Sequence, residues 1–159
     1  MGSIFLRDWA YETRGSTTGI YNQSVLRLNH PDRSPDIVYS RRWTDDANAY
    51  RIKGTVFGAG GIATHGSLSP HDRHCVLVAA GPSFKKGEVS PIQSSAVDIA
   101  PTILRLFGQK AELDGRVLRE GLLNGPSPGD VAVHVNRLDG GEDAPITLVE
   151  IAGKTYIGI

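Results

Sequence analysis

The apolar run Cys75-Val76-Leu77-Val78-Ala79-Ala80, closed by Gly81-Pro82, constrains the fold of this chain more than any other segment. It is far too short to cross a bilayer. It also lacks the in-out alternation of a strand with one wet face. A period-free apolar run suits a strand covered on both faces, which is the habit of parallel sheets flanked by helices. The next element downstream reads as a helix. Asp98 is placed to cap it, and Pro101 in the first turn lacks an N–H that has no helical partner there anyway. Ser94 or Ser95 is the alternative cap. Ile99, Ile103, Leu104 and Phe107 fall on one apolar face, and Gly108 suits the position just past the C-terminus. The order loop, strand, loop, helix and then a β tail predicts an α/β fold with an added antiparallel piece.

The segments on either side add β structure. Ser3 to Glu12 reads as a weak strand, Arg14 to Gly19 as a loop, and Ile20 to Leu28 as an interrupted strand. Asn29 to Pro35 is a turn cluster, because proline fixes φ and Asn and Asp bond their own backbone. Asp36 to Trp43 is a strand built on Ile37-Val38-Tyr39. Residues 44–70 read as a long loop punctuated by Gly54, Gly58, Gly60, Gly61 and Gly66; loops of that length are more often functional than not. Glu112 to Leu123 holds at most a short helical turn after Asp114-Gly115. Gly125-Pro126-Ser127-Pro128-Gly129 breaks the pattern and marks a boundary between residues 1–125 and 126–159. Beyond it, Val131, Val133 and Val135 alternate with polar or small residues as a strand. Ile146 to Ile151 and Lys154 to Ile159 flank Ala152-Gly153 as a terminal antiparallel hairpin.

Composition removes several function classes. Lys+Arg and Asp+Glu are 17 each, so no net field draws the chain to nucleic acid or to an anionic membrane. No run spans a membrane, and no secretory signal pattern is visible. Cys75 is the only cysteine, which excludes an internal disulfide framework and a Cys-based zinc knuckle. In an apolar run it reads as a small buried hydrophobe. One cysteine fits the cytoplasm or the periplasm, and the cytoplasm is favoured. Neither a Walker phosphate loop nor a G-x-S-x-G elbow is present.

Five histidines could carry chemistry: His30, His65, His71, His74 and His134. His65 lies in the glycine-rich stretch ahead of the apolar run, where backbone and ligand approach closely. His71 and His74 are three apart beside Asp72 and read as a polar loop entering the sheet. His30 reads as a turn residue and His134 as a surface residue. Asp45-Asp46 is a solvated pair, because adjacent side chains of an extended segment point to opposite faces. Lys85-Lys86 is a solvated turn. Asp139 to Asp143 is a loop tip whose spacing does not match a calcium loop.

Four segments in order carry a resemblance. They are Asp36-Ile37-Val38-Tyr39-Ser40; Ala63-Thr64-His65-Gly66-Ser67-Leu68-Ser69-Pro70; Val76 through Gly87; and Val97-Asp98-Ile99-Ala100-Pro101-Thr102-Ile103-Leu104. Asp114-Gly115-Arg116-Val117-Leu118 follows as a short "DGR-x-L" element. Together they resemble the alkaline phosphatase superfamily, and look most like the C-terminal end of its type I phosphodiesterase/nucleotide pyrophosphatase group, over roughly Asp36 to Leu123. The resemblance implies a partial alkaline-phosphatase-like α/β sandwich with a mainly parallel sheet, plus an antiparallel β tail over 126–159 packed on it. It implies phosphate-ester hydrolysis at two metal ions, usually zinc, held by Asp and His. A Ser or Thr nucleophile attacks phosphorus there. His65 matches the last metal-binding His in chain order.

The nucleophile and the other ligands of such enzymes lie well upstream of that histidine. Here 64 residues precede His65, and none of them forms a nucleophile motif or paired Asp and His ligands. One histidine does not hold zinc tightly. The expectation is a fragment of a zinc- or divalent-metal-dependent phosphodiesterase that is inactive alone, with no metal tightly bound to this chain by itself. Its substrate in the complete enzyme is a phosphate ester, without a nucleic-acid polymer or a membrane as partner. Homo-oligomers through exposed sheet edges are the expected association. The alternatives are a non-catalytic dimerisation or binding module of the same descent, or a sulfatase- or phosphomutase-type relative.

Overall fold

A computed structural model of the chain describes residues 3–6, 20–27, 30–40, 43–55, 67–110, 112–138 and 146–158. The chain divides into two compact units. One comprises Met1–Val76 with Arg137–Ile146 and Ile159, and the other Leu77–Asn136 with Thr147–Gly158.

In the first unit, β1 (Ser3–Leu6) lies between β2 (Ile20–Asn22) and β3 (Ile37–Ser40). β1 runs parallel to β2, with Phe5 opposite Tyr21, and antiparallel to β3, with Phe5 opposite Val38. The interruption expected after Ile20 is a 3-10 turn over Gln23–Leu26, begun by the Asn22 side chain accepting the Ser24 N–H. Within 44–70, β4 (Trp43–Thr44) pairs antiparallel with β5 (Gly54–Thr55). Ser69 then caps a single helical turn, α1 (Pro70–Arg73), by accepting the His71 N–H. Pro70 sits at the first helical position, where its missing donor costs nothing.

The second unit is built around α2 (Ile99–Leu106) and the terminal strands. A 3-10 turn over Ala96–Asp98 leads into the helix. At the other end Gln109 N–H donates to Leu104 O and Gly108 N–H to Arg105 O, with Gly108 at φ +70°. That pair of bonds is a Schellman C-cap, as the glycine predicts. β6 (Val133–Leu138), β7 (Ile146–Ile151) and β8 (Lys154–Ile157) form one sheet in that order. β7 and β8 make the expected hairpin, with Ile151 opposite Lys154 and Val149 opposite Tyr156. Ala152 and Gly153 both have positive φ (51° and 72°), the signature of a two-residue type I′ turn. Val149, Ile151 and Tyr156 are buried together, with Ile92 and Val131 against them. Each buried side chain of this size contributes about 1.5–3 kcal/mol.

The fold is not the mainly parallel α/β sandwich that the sequence implies. Among the described residues the parallel pairing is β1 with β2, the other registered pairs are antiparallel, and the α-helices are two short ones. The reason lies in the apolar run. Residues 75–80 form no strand, and no hydrogen bond joins the backbone of residues 76–80 to another described residue. Val76 and Val78 are 89% and 81% exposed. Apolarity on both faces states what a strand needs around it but does not supply the neighbouring strands. Cys75 is likewise exposed rather than buried. The helix differs in the same sense. Its buried residues are Pro101 and Thr102, whereas Ile99, Ile103 and Phe107 of the expected core face are exposed.

Two backbone positions yield predictions. A Cβ on Gly115 would lie 2.1 Å from the Val97 carbonyl oxygen. Gly115→Ala is expected to cost about 3 kcal/mol or more, read as a fall in the urea midpoint at constant m-value. Ala152 carries the left-handed strain that asparagine tolerates better. Ala152→Asn is expected to add about 0.5–1 kcal/mol by the same measurement.

Candidate functional site

The densest polar cluster lies in the second unit, around Asp98, which is fully buried. Its carboxylate reaches back rather than forward. Oδ2 accepts the Ser95 N–H at 2.8 Å; Oδ1 accepts the Arg116 N–H at 2.8 Å and the Tyr156 hydroxyl at 2.9 Å. Its backbone carbonyl accepts the Thr102 hydroxyl at 2.7 Å, and Thr102 Oγ1 in turn accepts the Leu118 N–H at 3.0 Å. The two motifs Val97–Leu104 and Asp114–Leu118 are therefore joined at two points. Gly115 permits this, because its bare Cα faces the Val97 carbonyl.

Arg116 extends the cluster. Nη1 and Nη2 donate to Glu120 Oε2 and Oε1 at 2.8 and 2.6 Å, a bidentate pair buried on both sides, and Nη2 also donates to the Gln93 carbonyl at 3.1 Å. Gln93 Nε2 donates to the Ile157 carbonyl at 2.5 Å, which fastens β8 to the same cluster. Burial by itself raises the Glu120 carboxyl, but the Arg116 hydrogen bonds and charge outweigh it and hold the carboxyl below its ordinary value. Burial likewise lowers Arg116, and Glu120 more than restores it. Tyr156 is pushed well above its ordinary range, first by burial and then by its hydrogen bond to the Asp98 carboxylate. All these groups are engaged with one another, and the cluster offers no open face to a substrate.

In the first unit His71 is oriented on α1. Its Nε2 lies 2.9 Å from Asp45 Oδ1, and its ring meets Trp43 edge-on at 6.0 Å. Asp45 is therefore held by His71 rather than simply solvated, whereas Asp46 Oδ2 accepts the Thr44 hydroxyl and its N–H donates to Thr44 Oγ1. His74 closes α1 and is exposed, and His134 is exposed on β6. His30 sits in its turn, with Nδ1 accepting the Asp32 N–H. Lys85 is not merely solvated: its Nζ donates to the Pro126 carbonyl at 2.5 Å. His65 and the acidic stretch Asp139 to Asp143 lie outside the described residues. Among the described residues no three His, Cys, Asp or Glu side chains group to hold a metal ion. A catalytic zinc takes three protein ligands, so the described residues do not build a zinc centre. No described helix is long and apolar enough to cross a membrane.

The sequence points to Asp98 as the cap of α2, but its side chain makes no cap bond there and instead accepts the Ser95 N–H, so Ser95, the alternative, begins the helical segment. Arg116 stands in the Asp114–Leu118 element, whereas Glu120 and Tyr156 belong to no motif of the sequence. Spacing gives a signal for the first two, since Arg and Glu four apart can pair along one turn. Tyr156 joins only through long-range folding. No family model, no curated protein and no solved structure matches the chain.

The cluster fixes the pH range of stability. Glu120 has a lowered folded pKa, so its contribution is present above the unfolded value near 4.5 and is lost as pH falls through the folded value. Tyr156 has a raised one, so its contribution is present below about 10.0 and is lost as pH rises beyond it. The expected melting-temperature profile is flat between about pH 5 and 9.5 with a limb on each side. Tyr156→Phe should shrink the alkaline limb and leave the acid limb intact. An unchanged alkaline limb in that variant would assign it to other groups.

Proposed function

We propose that this chain contributes part of a metal-dependent hydrolase of phosphate esters, of the phosphodiesterase/nucleotide pyrophosphatase type, and is inactive alone. His65 is the residue it supplies to the metal centre. The nucleophile and the remaining metal ligands come from polypeptide outside these 159 residues. When bound, zinc or another divalent ion supplies Lewis-acid stabilisation of the phosphoryl oxygens.

The observation that carries the reading is the interlock of segments quoted for the resemblance. Val97–Leu104 and Asp114–Leu118 meet through Asp98, Thr102 and Arg116. The segment after the apolar run is tied to the same unit, with Lys85 N–H donating to the Gly121 carbonyl and Leu123 N–H to the Ser83 carbonyl. Segments far apart in sequence thus behave as one packed piece.

The test compares two samples. The isolated chain should give no zinc-dependent hydrolysis of bis(p-nitrophenyl) phosphate. The native product, captured from its cells with an antibody against this chain, should be larger than 159 residues account for and should hydrolyse the ester. His65→Ala in that product should lower kcat by about a hundredfold or more. Turnover by the isolated chain, or an inert native product, would overturn the proposal.

A further inference from the structure

The β6–β7–β8 sheet carries an open edge. Among the described residues β6 (Val133–Leu138) has β7 as its sheet neighbour, and no backbone hydrogen bond joins it to anything beyond that sheet. Its side chains from Val133 to Arg137 are exposed, on both faces of the strand, and Leu138 is half-buried. On β7, by contrast, Ile146, Val149 and Ile151 are buried. Val135 is 63% exposed, more than any other large apolar side chain of the three strands. Such an edge offers a row of N–H and C=O groups to another strand. Edges are commonly blunted with proline or lysine, and Val133-His134-Val135-Asn136-Arg137-Leu138 contains neither.

The pattern fits a second copy of the same strand. In an antiparallel pair, two directly opposite residues both aim their backbone groups at the shared edge, or both aim them away. Alternate residues of β6 do the first, so its pairing with itself across a two-fold axis is centred on a residue and never between two. Centred on Val135, that pairing sets Val135 opposite its own equivalent, His134 opposite Asn136 and Val133 opposite Arg137. The most exposed apolar side chain is then covered by its copy, a β-branched pair of the kind that stabilises sheets. No like charges stand opposite each other, and the Arg137 stem can cover Val133 with its guanidinium in water. Basic and acidic residues balance at 17 each, so no net charge keeps two copies apart.

We propose that the chain forms a two-fold dimer by antiparallel pairing of β6 with β6 of a second copy, joining two three-stranded sheets into one of six strands. The inference needs neither His65 nor a metal and stands apart from the hydrolase proposal. An interface of this size places the dissociation constant at about 10–100 µM. Sedimentation velocity of the 159-residue chain, from about 1 to 500 µM, should show a reversible monomer–dimer equilibrium and no larger species. Val135→Lys sets like charges opposite each other at the centre and should weaken the dimer at least about tenfold. Its urea midpoint in dilute solution should not change, because the position is exposed in the monomer. Register is read by cross-linking in a Cys75→Ser background. Val135→Cys should give a disulfide-linked dimer with oxidised glutathione, since opposite Cα atoms lie about 4.5–5.5 Å apart. His134→Cys should not, because equivalent residues there are offset by two positions, beyond the roughly 7 Å that a disulfide spans. A monomer throughout, open-ended assembly, undiminished dimerisation of Val135→Lys, or equal cross-linking at both positions would overturn the proposal.

Discussion

The second unit depends on one buried carboxylate. Asp98 sits at the start of α2, yet its side chain does not cap that helix. It gathers the Ser95 and Arg116 N–H groups and the Tyr156 hydroxyl. A carboxylate removed from water is costly unless such donors surround it. Here each donor comes from a different part of the chain, so satisfying the charge also fixes where the parts meet. The turn before the helix, the Asp114–Leu118 element and the last strand are all positioned by it. The Thr102 hydroxyl, bridging the Asp98 carbonyl to the Leu118 N–H, repeats the same tie one turn along the helix.

Around that anchor the polar groups are arranged in pairs that need each other. Arg116 and Glu120 are both nearly inaccessible, and either alone would be a buried unpaired charge. Such a pair adds less to stability than its distance suggests, because both ions have lost their water. What it supplies is register: the fork geometry holds the 116–120 turn in one arrangement. Arg116 Nε has no hydrogen-bond partner in this cluster, so the pairing is achieved through the two Nη groups. Beside it, Val149, Ile151 and Tyr156 provide the apolar burial. Tyr156 belongs to both sets, its ring in the apolar cluster and its hydroxyl on Asp98.

The outer surface of this unit has a different character. Ile99 and Ile103 on α2, Phe107 just past its end, and Leu77 and Val78 in the apolar run are exposed. Large apolar residues exposed together are expensive for a soluble protein and usually mark a covered surface. The periodicity of Ile99, Ile103 and Phe107 marks an apolar face, but the face that is buried here is the one carrying Pro101 and Thr102, with the Thr102 hydroxyl bonded to the Asp98 carbonyl and the Leu118 N–H.

The sequence by itself determined the local features whose causes are local. The β7–β8 hairpin follows from two strand patterns around Ala152-Gly153, and the end of α2 from Gly108. The capping region of α2 follows from Ser95 and Asp98, and the turn at 30–35 from its prolines and short polar side chains. Each is set by backbone geometry within a few residues. The tertiary structure decided the rest. The Cys75–Ala80 run reads as a strand buried on both faces, but strand pairing depends on partners that the run itself does not encode. His71 with Asp45, and Asp98 with Tyr156, are pairings across 26 and 58 residues. No pattern of period two or 3.6 reports such contacts, because they arise only when the chain closes on itself and each buried polar atom must find a donor or an acceptor.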